Sequence, residues 1–129
     1  MTKSLSRDAA VLTSIMKNRQ NIIDVFNRFG LDFSNSARGV INDKMAFDLC
    51  AMYMAQIGES VKLLTDGTKG VLSQTIDVGV LKYFRNMIDH SYEKVNKVIL
   101  QSYIQLMISP KVDTMLKQQY LYCIKNKKT

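Results

Sequence analysis

The sequence predicts an all-α fold, an up-and-down antiparallel helical bundle of four to five helices forming one domain over residues 1–129, and three observations predict it. With 6 Gly and 1 Pro among 129 residues, the chain lacks the turns that an all-β fold needs roughly every ten residues. Its 47% hydrophobic and 22% charged residues strike a globular balance rather than a disordered one. Along most of its length, apolar residues recur in steps of three and four, the period of a helix with one buried face.

The first helix begins behind Ser6, has Asp8 in its first turn, and carries Leu12, Ile15, Met16, Arg19, Ile22, Ile23, Phe26 and Phe29 before Gly30 stops it. Residues 31–42 lose the period and read as a connection with room for a short turn of helix. The second helix has the clearest seam, Phe47, Cys50, Met54, Ile57, Val61 and Leu64, spaced for packing nearly parallel to a neighbour. Gly58 interrupts its composition but not its seam, which points to close approach by another helix. Residues 65–76, with two glycines, read as the next connection. A third helix runs from about Asp77 with Leu81, Phe84 and Ile88 inward, and a fourth carries Val95, Val98, Ile99 and Leu106. Ser109 followed by Pro110 opens a fifth, because a Ser cap and a Pro at the first helical position both favour a helix start. Its inward set is Val112, Met115, Leu116 and Cys123, and Lys125, Lys127 and Lys128 complement the negative end of its dipole.

The formal charge of +7 is unevenly placed: nine Lys/Arg face eight Asp/Glu before position 82, and nine face three from there on. A basic second half attracts polyanions, although a solvated basic face with no partner has the same composition. No run approaches the roughly 20 apolar residues of a membrane span and no signal peptide is recognisable, so a cytoplasmic protein without a membrane partner is expected. Cys50 and Cys123 match no metal or redox spacing, and with His90 as the single histidine no metal site and no cofactor are expected.

Around that histidine stands Arg85-Asn86-Met87-Ile88-Asp89-His90-Ser91-Tyr92. A guanidinium can hold a phosphate with two parallel hydrogen bonds, and an imidazole can exchange a proton near neutral pH. Together they suit phosphodiester cleavage in RNA, whose 2′-hydroxyl is an internal nucleophile, with no metal required. If both proton transfers use imidazole, two chains must supply them, so a homodimer is expected. Five residues of helix turn about 140°, so Arg85 and His90 share a site only if Arg85 reaches across, the helix ends or bends near Asp89, or the two come from different chains. A simpler reading also stands, in which Arg85 pairs with Asp89 four positions on and His90 is a capping or half-buried residue.

The string RNMIDHSY resembles the R-x4-H-x-Y motif of HEPN-domain ribonuclease toxins of the HepT-like group, and AMYMAQIGESVKLL resembles that family's helix built around Ile-Gly-Glu, here Ile57, Gly58 and Glu59. The resemblance implies a helical, dimeric, metal-independent endoribonuclease toxin with Arg85 and His90 as catalytic residues at the subunit interface and Asn86 assisting. It also implies a partner, an MNT-type nucleotidyltransferase antitoxin that uses ATP to attach AMP to Tyr92. The stretch DVGVLKYF before the motif lacks the Pro and Trp of many relatives, and Asp89 stands where they often have a small or apolar residue. Gly58 and Glu59 are read as structural support, with Glu59 a buried anchor for the motif helix or a surface carboxylate. The alternative function is a non-catalytic helical RNA- or nucleotide-binding partner subunit of a nucleotidyltransferase. Tyr103, Tyr120 and Tyr122 can stack bases or pack. Met45, Met52, Met54, Met87, Met107 and Met115 read as adaptable packing.

Overall fold

Ser4, two residues earlier than the sequence predicts, caps the first helix, its hydroxyl accepting from the Arg7 amide at 3.1 Å. In the computed structural model, which describes residues 4–31 and 42–127, that helix is α1, Leu5–Arg28. Gly30, at φ +66°, lets the chain leave it in a left-handed conformation that costs other residues energy. The connection expected at 31–42 falls almost wholly outside the described residues.

Next come α2, Lys44–Val61; α3, Asp66–Ser73; α4, Val78–Ser91, which runs into a 3₁₀ turn, Tyr92–Lys94; α5, Lys97–Met107; and α6, Pro110–Asn126. These six α-helices among the described residues are one more than expected. The extra one is α3, read from its glycines as connection but capped by Thr65, whose hydroxyl accepts from the Thr68 amide. Ser109 caps α6 with Pro110 behind it, as the sequence predicts, and Lys125 lies in its last turn. Lys128 lies outside the described residues.

The helices run antiparallel, as their cross-links show. Asp8 at the start of α1 meets Thr65 just beyond the end of α2. Gly58 near the end of α2 lies against Leu81 and Arg85 in α4, whereas Asp48 near its start bonds Tyr92 just after α4. The seam of α2 is buried throughout, and with Leu12, Ile15, Ile22, Phe26, Leu81, Phe84, Leu100, Ile104 and Val112 it forms one core. In α5 the expected phase is wrong. Leu100, Ile104 and Met107 face inward, while Val98 and Ile99 are exposed and Val95 precedes the helix. Of the methionines, Met54 and Met107 are buried, but Met45 and Met52 are exposed.

Two buried polar centres hold helix ends. Asp8, fully buried, accepts from the Thr65 amide and from the hydroxyls of Thr65 and Thr68, and Gln119 of α6 donates to the Thr68 hydroxyl. Arg19 donates to the carbonyls of Met107, Ile108 and Ser109 at 2.7–3.3 Å and pairs with Asp113 at 3.1 Å. It thereby satisfies the orphan carbonyls at the end of α5 and holds the start of α6. Cys50 and Cys123 are buried free thiols. No helix among the described residues is long and apolar enough to cross a membrane.

Candidate functional site

A cleft of about 450 Å³ opens between α2 and α4, floored by Ala51, Met52, Ala55 and Ile88 and ringed by Asp48, Glu59, Arg85, Asp89 and Tyr92. Gly58 makes the approach of the two helices possible. A Cβ there would fall 2.5 Å from the Leu81 carbonyl oxygen and 2.7 Å from the Arg85 Cβ. Arg85 is therefore set directly against α2.

Its guanidinium Nε lies 2.7 Å from Glu59 Oε2 and 3.2 Å from Asp89 Oδ2, and Nη1 donates to Asn86 Oδ1 at 3.1 Å. The pairing with Asp89 four positions on is the simpler arrangement the sequence allowed, and Glu59 joins it from the neighbouring helix. Glu59 is half exposed rather than buried, so it acts on Arg85 as a surface ion-pair partner that also holds Lys62 at 3.0 Å. The Lys62 hydrogen bond holds its carboxyl below the usual range against desolvation, and the charges of Arg85 and Lys62 add to the lowering.

At the other end of the cleft the Tyr92 hydroxyl donates to Asp48 Oδ1 at 2.5 Å, while Lys44 Nζ lies 2.7 Å from Asp48 Oδ2. Burial pushes the Tyr92 phenol above its ordinary range, and the hydrogen bond and charge of Asp48 push it further. Burial also works to raise the Asp48 carboxyl, but the hydrogen bonds from Lys44 and Tyr92, with the charges of Lys44 and Lys97, bring it below its usual value.

His90 is exposed in the last turn of α4 and does not line the cleft. The helix is unbroken from Val78 to Ser91, so the expected step of about 140° separates the imidazole from Arg85. Arg85 is turned toward Glu59 and Asp89 instead, and α4 ends at Ser91, two residues beyond Asp89.

Arg85, Asn86 and Glu59 thus come together beside Gly58, Tyr92 lies with Asp48 at the far end of the cleft, and His90 is exposed outside its lining. Sequence reasoning missed Asp48. A signal was present, because eleven residues separate Asp48 from Glu59, three turns that return to within about 20° of the same face. No family model matches the chain, and neither the curated proteins nor the solved structures give a match. Tyr103 and Tyr120 pack against the core, whereas Tyr122 is exposed. No group of three or more potential metal ligands occurs among the described residues.

Proposed function

We propose that the chain is a metal-independent endoribonuclease toxin, active as a homodimer, in which Arg85 binds the scissile phosphate and His90 transfers protons. The single observation that carries this reading is the division of α4: a guanidinium in the cleft and an imidazole presented outward one and a half turns on, an arrangement that becomes one site when a second subunit faces it. An apolar strip of Met45, Leu49 and Met52 borders the cleft, with both methionines exposed, and gives that subunit a surface to bury. Asn86 orients Arg85 through its amide oxygen. Tyr92 is the control point: adenylylation by a nucleotidyltransferase antitoxin adds bulk and a phosphate charge where Arg85 is needed.

Incubation with single-stranded RNA in excess chelator tests the reading. Cleavage is expected, and His90→Ala or Arg85→Ala should lower its rate at least about 100-fold, the low end for a lost acid–base group. No cleavage, or equal cleavage by His90→Ala, overturns it. A second reading, a non-catalytic partner of a nucleotidyltransferase that binds RNA or nucleotide, is favoured by the two carboxylates already on Arg85. Binding without cleavage selects it.

A further inference from the structure

Asp48 was not among the residues singled out by the motif, yet it accepts a hydrogen bond from the Tyr92 hydroxyl across 44 residues of chain. Tyr92 opens the 3₁₀ turn that follows His90, and that turn has no side-chain cap. The carboxylate is divided between two partners, with Oδ1 taking the phenol and Oδ2 the exposed Lys44 ammonium. Around the pair stand Lys97 from α5 and the buried Cys50 from the same helix as Asp48, with Arg85, Asp89 and Glu59 further along the cleft.

We propose that Asp48 is a latch on Tyr92: the phenol is withheld from an electrophile while its hydroxyl is given to Asp48, and is presented when that bond opens. The biological meaning of the latch rests on the reading of Tyr92 as a modification site. Nucleotidyl transfer would form a bond from the Tyr92 oxygen to the α-phosphorus of a nucleoside triphosphate held by the transferase. It would break the bond to the leaving pyrophosphate, and the phenolic proton would pass to a base of the transferase or to solvent water. A carboxylate that is itself a weakened base, beside a phenol that resists ionisation, is a poor recipient for that proton. Release from Asp48 therefore precedes transfer, and Asp48 is a positioning residue that sets when Tyr92 can react. By the same bond it ties the turn after His90 to α2.

Nitration with tetranitromethane, which attacks the phenolate, tests this with no transferase and no RNA. Tyr83 and Tyr122, each 53% exposed, serve as references within the same molecule, and peptide mass gives the extent at each site. At about pH 8, Tyr92 should nitrate at least about tenfold more slowly than either reference, Asp48→Asn should raise its relative rate by about tenfold, equivalent to one pKa unit, and Asp48→Glu should restore protection. Equal nitration in the unaltered protein, or no change in Asp48→Asn, overturns the latch. Should Asp48→Asn fail to fold, Lys44→Ala decides. It alters an exposed side chain and removes the ammonium hydrogen-bonded to the other carboxylate oxygen, so Tyr92 should slow by about twofold; an equal or faster rate overturns the proposal. Absence of RNA cleavage would end the nuclease reading and leave this measurement intact, and the converse also holds.

Discussion

Gly58 lacks a side chain because the backbone of α4 occupies the space one would fill. In Gly58→Ala the gain in helix propensity, about 1 kcal/mol, is set against overpacking on a carbonyl that cannot step aside, so a net loss of about 1–2 kcal/mol in urea unfolding is expected. The sequence made this close approach legible, since an apolar seam that continues through a glycine has little other reason to contain one. Arg19 was not legible in the same way. It sits in the apolar register of α1, and only the fold shows that it caps α5 and pairs with Asp113. Burial pulls its ionisation below the ordinary arginine value while Asp113 opposes that. Removing the side chain takes a donor from the Met107 and Ile108 carbonyls, whereas the Ser109 carbonyl keeps the Asp113 amide and Asp113 keeps Lys117. Arg19→Ala should therefore cost about 2–4 kcal/mol. Asp89, by contrast, pairs with Arg85, and under the proposed function it would compete with phosphate for that guanidinium. Asp89→Asn should tighten single-stranded RNA binding at low salt about fivefold, as expected for one like charge near a phosphate in water.

At the scale of elements, the helices that sequence reading placed well are those whose own side chains start and bury them. Asp77 caps α4 and Ser109 caps α6, and each helix carries its inward residues in phase. What it missed depended on partners distant in the chain. The eight residues of α3 contain two glycines and too few apolar residues to announce a helix, but Asp8 of α1 accepts from the amide and hydroxyl of its cap Thr65 and from Thr68 within it. Asp8→Ala leaves these donors without their acceptor in a buried place and should lower stability by about 2–3 kcal/mol, with hydrogen exchange rising first in α3. The phase of α5 was misread because Val98 and Ile99 are as apolar as the residues it buries, and periodicity cannot decide between two apolar stripes.

For the whole molecule, alkaline pH probes the core. Burial pushes the Cys50 thiol from 9.0 up to about 12. A group whose folded value is raised contributes stability that is fully present below its unfolded value and is lost as pH rises through the folded one, here between about pH 9 and 12. Tyr92 shifts in the same direction. The unfolding free energy should fall by roughly 2–3 kcal/mol between pH 8 and 11, and Cys50→Ala should flatten that slope even though it costs some packing at neutral pH. The single His90 that each chain exposes in the last turn of α4 also has a consequence for mixed populations. Where each scission draws an acid from one subunit and a base from the other, a pair containing one His90→Ala member is silent. Blended in equal amounts and allowed to exchange, unaltered and altered chains should retain roughly one quarter of full turnover rather than one half, a square-law decline that single-subunit catalysis does not produce.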